Sequence, residues 1–264
     1  MGSGAGHGAA SIEGRGIVKR FPTRTGLFTA VDGVSFRIGA GEFVSLIGPS
    51  GCGKSTLLLI AAGLQPATAG EIAIDGRRLD RPLTDVGIVF QDHLLLEFRT
   101  ALGNVMLQAD IRGLPAEATR SRALELFDKL GVARAADRYP KQLSGGMRQR
   151  VSIARALIHE PSILLMDEPF GALDAITRTQ IRHDLELLWM ETAKTVLFIT
   201  HSIDEAIGLS DRVLVMSPSP GRIVDEIEVD LPRPRPAHLG DYPSFNAYAD
   251  RIHTAFRRFG VIKF

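Results

Sequence analysis

The stretch Gly48-Pro49-Ser50-Gly51-Cys52-Gly53-Lys54-Ser55 has the spacing G-x-x-x-x-G-K-S, with a buried-strand pattern before it at Glu42–Ile47 and an apolar helical run after it at Lys54–Ala62. Glycines in such a turn let backbone N–H groups close around phosphate oxygens at a helix N-terminus. Lys54 would add a point charge to the outer phosphates, and the Ser55 hydroxyl can ligate Mg²⁺. The loop from Gly48 through Thr56 is therefore predicted to bind the phosphates of a nucleotide. Cys52 lies inside it and reads as a small filler, because no His or Asp is spaced around it as a triad partner would be.

A second chemical signal is Ile163-Leu164-Leu165-Met166-Asp167-Glu168, four apolar residues running straight into two carboxylates. The acids emerge at the carboxyl end of a buried strand, where open α/β sheets bind ligands. Asp167 is placed to hold Mg²⁺, and Glu168 to polarise an attacking water. His201 ends another apolar strand, Val196–Thr200, and Gln91 follows the strand Val86–Phe90. Each is weak alone and gains meaning from its place in the order of motifs. A third signal, Leu143-Ser144-Gly145-Gly146-Met147-Arg148-Gln149-Arg150, is an N-cap serine and two glycines opening a helix that runs to Leu157. That makes a second anion-ready helix end, with free N–H groups and the positive end of a dipole.

These residues need a frame. Short apolar runs at Ile163–Met166, Val196–Thr200 and Val213–Met216 read as buried strands of a mostly parallel sheet, while Ile12 through Val18 and Val34–Ile38 read as further strands. Between Asp92 and Leu157 the pattern turns helical, with Ala123, Leu126, Phe127 and Leu130 at helical spacing in Ala116–Leu130. The expected class is therefore α/β, with a helical insertion at about 92–157. Met1–Ser11, rich in Gly, Ala and Ser, is expected to be a flexible leader. Leu231-Pro232-Arg233-Pro234-Arg235-Pro236 excludes regular helix or central strand; it is expected to be a solvated run that connects to a short tail over 242–264 ending in a helix.

Composition says little about the partners. Thirty-one Lys and Arg stand against thirty Asp and Glu, a net charge of +1, so no overall field draws the chain to nucleic acid or to an anionic membrane. The one cysteine cannot form an internal disulfide, which points to a reducing cytosolic compartment. No apolar run approaches the ~20 residues that span a bilayer, so work at a membrane would go through another chain.

The order of phosphate loop, Gln91, signature at Leu143, acidic strand ending in Asp167 and Glu168, Gly171-Ala172-Leu173-Asp174, and His201 resembles the ATP-binding-cassette (ABC) transporter ATPases over residues 12–230. The resemblance implies a RecA-like P-loop NTPase core with an antiparallel β portion, ATP and Mg²⁺ as ligands, and ATP hydrolysis coupled to transport. It implies a head-to-tail dimer in which each ATP lies between one subunit's phosphate loop and the other's Leu143, Ser144, Gly145, Gly146 and Met147. In that scheme Asp174 touches the opposite subunit, Gln91 joins Ser55 and Asp167 near the metal and senses the γ-phosphate, and Phe21, with Phe28 as competitor, stacks on adenine. Ser217-Pro218-Ser219-Pro220-Gly221-Arg222-Ile223-Val224 and the Pro-Arg run are similar to the nitrate, sulfonate, taurine and bicarbonate uptake group. The acid in Leu96-Glu97-Phe98-Arg99-Thr100 departs from that group, which often has Pro there. An importer subunit is expected, most simply a homodimer on the cytoplasmic face of the inner membrane, held there by two permease subunits and supplied by an external solute-binding protein. An exporter or lipid-extracting ATPase would share the site, as would DNA-repair or translation ATPases. The sequence lacks the sustained heptads of the former and the paired cassettes of the latter.

Overall fold

The computed structural model describes residues 8–24, 26–236 and 238–260. In chain order the elements are β1 (Ile12–Thr23), β2 (Gly26–Ile38), β3 (Phe43–Ile47), α1 (Lys54–Ala61), β4 (Ala69–Ile74), β5 (Arg77–Arg78), β6 (Val86–Val89), α2 (Ala101–Arg112), α3 (Ala116–Lys129), α4 (Gly145–Leu157), β7 (Ile163–Asp167), α5 (Ala175–Thr192), β8 (Thr195–Thr200), α6 (Ile203–Leu209), β9 (Arg212–Met216), β10 (Ile223–Glu228) and α7 (Pro243–Arg258). Among the described residues the strands form two sheets, an antiparallel one in the order β2-β1-β4-β5 and a six-stranded one in the order β10-β9-β3-β8-β7-β6. All neighbours in the second pair in parallel except β10 and β9.

A parallel sheet is buried on both faces, and the alternation of side chains along its strands shows what covers each. Phe43, Leu164, Met166, Val196 and Phe198 face the helices α2 to α5. Val44, Leu46, Ile163, Leu165, Leu197 and Ile199 face α1 and the antiparallel sheet. Toward the β9 end, Ile47, Val213 and Val215 pack with α6 and α7. The phosphate-loop helix α1 and the signature helix α4 therefore sit on opposite faces of one sheet. Because β6, β7, β8 and β3 run in the same direction, with Met166 beside Val89, Asp167 beside Ile199 and Ile47 beside Thr200, Gln91, Asp167, His201 and Gly48 all leave the sheet at one edge.

Three expectations change. β2 begins at Gly26 rather than Val34: Leu27 and Phe28 are 70% and 46% exposed, so this part of the strand follows from pairing with β1, not from a buried face. The leader is not loose to its end, since Ala10 is buried and Ser11 donates its backbone N–H to Asp75 Oδ1 at 2.7 Å; residues 1–7 lie outside the described part.

The Pro-Arg run is not a solvated tail. Arg235 is 2% exposed and donates to the carbonyls of Ile207 at 2.6 Å and Ser210 at 2.8 Å, with Val229 and Leu231 at 3.4 Å and 3.3 Å. Arg233 stacks over the Trp189 ring at 4.3 Å and donates to Glu186 Oε1 and Asp211 Oδ1. These guanidinium groups satisfy carbonyls that α6 and the chain after β10 would otherwise bury unpaired. Burial pushes the Arg235 pKa down to about 10, so the group still carries its charge at neutral pH. Arg235→Ala leaves several buried acceptors without donors and should lower stability by about 3 kcal/mol, read as a shift of the urea midpoint.

Candidate functional site

α1 opens at Gly53, whose φ of 100° lies in the left-handed region, and no side chain caps the helix. Its first N–H groups are thus left for an anion, as the motif requires. A Cβ at Gly53 would stand 2.7 Å from the Ala30 carbonyl oxygen, so a larger residue would push the loop off β2. Lys54, 4% exposed, folds back to donate to the carbonyls of Gly48 at 2.8 Å and Pro49 at 3.0 Å, with its Nζ 3.8 Å from Glu168 Oε1. Cys52 is buried beneath the loop, and burial raises its thiol above the ordinary value, as befits a filler.

The Ser55 hydroxyl donates to Asp167 Oδ1 at 3.0 Å across the gap between α1 and β7. A hydroxyl and a carboxylate in this position are hard oxygen ligands that suit Mg²⁺, which takes few protein ligands and fills the rest of its shell with water and phosphate oxygens. Among the described residues no cluster of three or more His, Cys, Asp or Glu could hold a metal by itself, in keeping with so sparse a site. Burial raises the Asp167 carboxyl above its ordinary value; the Ser55 hydrogen bond opposes this, the Glu168 charge adds to it and Lys54 opposes it.

Glu168 has a φ of 43°, which turns it out of the strand, and its N–H is held by the Ile199 carbonyl at 2.9 Å. Glu168 Oε2 meets His201 Nδ1 at 2.9 Å. The carboxylate therefore stands between the His201 imidazole and the Lys54 ammonium. Gln91 is exposed, and its Nε2 lies 4.0 Å from where a Cβ on Gly171 would stand, which puts it beside the loop after Glu168. Phe21 lies directly across the hairpin from Phe28, packs against the core cluster that contains Cys52, and has the Lys19 ammonium 5.1 Å from its ring centre.

The signature residues are not brought to the phosphate loop. Ser144 caps α4 by accepting the Met147 N–H at 3.3 Å, while Leu143 and Gly146 are buried and Gly146 abuts Thr177 of α5. Asp174 caps α5 by accepting the Thr177 N–H at 3.0 Å, and that bond holds its carboxyl below the ordinary value.

Two supports escaped the sequence reading. Gly221 lies where a Cβ would stand 2.0 Å from the Cys52 carbonyl oxygen, and it exchanges backbone bonds with Ala30 and Asp32, so the Ser217–Arg222 loop backs the phosphate loop. Arg155 donates to the carbonyls of His93 and Leu94 at 2.8 Å and 2.6 Å, and Gln149 meets His93 Nδ1 at 2.7 Å, tying the signature helix to the segment after Gln91. Gln149 among the apolar residues of α4 was the available signal for the second.

Sheet, phosphate loop, acidic strand end and a second, distant anion-ready helix together define a P-loop ATPase built as a nucleotide-binding cassette. The sequence matches the ABC transporter family model over residues 31–171. It is 50% identical over 218 residues to the taurine import ATP-binding protein TauB of Rhizobium johnstonii, covering 83% of each chain. It is 42% identical over 248 residues to the aliphatic sulfonates import ATP-binding protein SsuB of Bacillus cereus, covering 94% of this chain and 96% of that one. The fold matches a dimeric bacterial ABC transporter cassette, MJ0796, with a TM-score of 0.75 at 36% identity over 83% of this chain and 99% of that chain. A post-hydrolysis state of the same cassette bound to ADP and Pi gives 0.74 at 34% identity, with the same shares covered. The chain belongs to the ABC transporter family.

The raised Asp167 value carries a consequence for stability. Since the folded-state value lies above the unfolded one, ionisation of Asp167 opposes folding; the cost appears as pH rises through the carboxylate range and persists at neutral pH. Asp167→Asn should therefore raise the urea midpoint of the Mg²⁺-free protein at pH 7, with the gap closing toward pH 3. The same substitution should cut Mg²⁺-dependent ATP turnover by about 10²-fold or more, measured by phosphate release.

Proposed function

We propose that the chain is the ATP-hydrolysing subunit of an importer, working as a dimer beneath a separate permease and serving a sulfonate such as taurine. The observation that carries this reading is the pair of anion-ready helix ends on opposite faces of one sheet, at Gly53 and at Ser144. One nucleotide cannot engage both ends of a single chain so arranged, whereas two chains facing head to tail bring each phosphate loop to the other's signature. The names of the taurine and sulfonate relatives support the solute class and the direction of transport. Among the described residues no helix is long and apolar enough to cross a membrane, which accords with attachment through a partner. Leu94 and Phe98, 58% and 75% exposed just past Gln91, offer the apolar surface on which a permease segment would rest.

In this reading Phe21 stacks on the adenine, the N–H groups from Gly48 to Thr56 and the Lys54 ammonium hold the phosphates, and Ser55, Asp167 and Gln91 serve the Mg²⁺ ion. Bound Mg²⁺ neutralises charge developing on the phosphates. Glu168 accepts the proton of the attacking water, and His201 keeps the Glu168 carboxylate in place by the bond at 2.9 Å. Ser144 and Asp174 act on the partner's site.

Glu168→Gln keeps shape and hydrogen bonding but loses the basic carboxylate, so turnover should fall about 10²-fold or more while ATP affinity by calorimetry holds. Size-exclusion chromatography with ATP and Mg²⁺ should then show a stable dimer for the variant and mostly monomer for the wild type. A slow variant that stays monomeric with ATP would count against the closed sandwich, and one with full turnover would remove Glu168 from the chemistry.

A further inference from the structure

His201 touches Glu168, and the Gly171–Asp174 loop follows it, yet the two regions leave the sheet from different strands, β8 and β7. One chain of side-chain contacts joins them. Arg178, in the first turn of α5, reaches back so that its Nη2 donates to the Leu173 carbonyl at 2.9 Å, inside that loop. Its Nε lies 3.7 Å from Glu205 Oε1. Glu205, on α6, is 5% exposed, and its other carboxyl oxygen, Oε2, accepts the Thr200 hydroxyl. The Thr200 oxygen in turn accepts the Ser202 N–H at 3.0 Å, and the Ser202 hydroxyl accepts the Glu205 N–H at 3.3 Å.

The direction of each bond is fixed by chemistry. The Thr200 hydroxyl accepts from the Ser202 amide and donates its own proton to the Glu205 carboxylate. Glu205 Oε1 faces the Arg178 guanidinium as an ion pair at 3.7 Å, while Oε2 holds the Thr200 hydroxyl. Thr200 and Ser202 bracket His201 on either side, so the backbone that aims the imidazole at Glu168 is held by Glu205. A cavity of about 390 Å³ lies against Arg178, Glu205 and Ser202.

We propose that Arg178 and Glu205 are positioning residues that link the Gly171–Asp174 loop to His201. The inference rests on the reading of the chain as a dimeric ATPase, and it gives that reading a route. A partner cassette that presses on the loop moves the Leu173 carbonyl, the guanidinium follows, and the Glu205 anchor sets the imidazole against Glu168. Each site would then be assembled by the arrival of the other subunit as well as by its own nucleotide. Neither side chain touches ATP in this scheme, so both act through His201.

The test is a cycle of Arg178→Gln, Glu205→Gln and the double variant in the full chain, with two readouts. In the nucleotide-free protein, the His201 ring resonance is followed by ¹⁵N-histidine NMR, identified by its loss in His201→Asn. Each single variant should move it, and with Mg²⁺ and ATP each should lower kcat about tenfold while KM for ATP changes less than about twofold. The double variant should be no slower than the worse single, because the two residues serve one link. Glu205→Gln preserves the shape and carries the test by itself should Arg178→Gln lower the urea midpoint. An unmoved His201 resonance in a folded variant, or losses in kcat that multiply in the double variant, would overturn the link. A wild-type protein without ATPase activity would sink the functional reading instead, and the resonance would still decide whether the link exists.

Discussion

The hydrogen bond from Ser55 to Asp167 spans the ligand end of the sheet: a hydroxyl at the start of α1 and a carboxylate at the end of β7, 3.0 Å apart. For that to hold, β3 and β7 must run parallel with β8 between them, and the sheet must be covered on both faces so that its strand ends meet solvent only at the ligand edge. The requirement explains the two unlike layers. α1 and the antiparallel sheet seal one face, and α2 to α5 seal the other, leaving an edge where Lys54, Glu168 and His201 can stand within reach of one another.

Burial is also what gives the site its tension. Asp167 and Glu168 are adjacent acids, and the first is partly removed from water without a formal counter-ion of its own. Lys54 directs two of its donors to the loop carbonyls of Gly48 and Pro49, so its charge is shared rather than committed. A site in this condition favours a ligand that brings both a cation and a set of anionic oxygens, because each half relieves a different imbalance.

The parts legible in the sequence were those with an apolar run against a chemical residue. Ile163–Asp167 could be read because four buried side chains precede the acids, and Gly53-Lys54-Ser55 because a strand and a helix flank it. Strands whose stability comes from pairing gave no such pattern. β10, with the sequence Ile-Val-Asp-Glu-Ile-Glu, lies at the sheet edge with one face wet, and β5 is only Arg77–Arg78. Arg235 looked solvated because arginine beside proline usually is; its burial depends on carbonyls contributed by α6, far back in the chain, which no local pattern can announce. The bonds from Arg155 to the backbone after Gln91 escaped the reading for the same reason.

The contact of Gly221 with the Cys52 carbonyl has a bearing on how the molecule is made. The wall behind the phosphate loop is supplied by a turn between β9 and β10, synthesised long after the loop itself and locked in place by backbone bonds to Ala30 and Asp32. On the ribosome, a nascent chain halted before Gly221 would carry every residue of the phosphate motif and still lack the surface that shapes it. The phosphate loop therefore gains its backing wall only after the chain through Gly221 has been made, when α4 and the Gly171–Asp174 loop already exist.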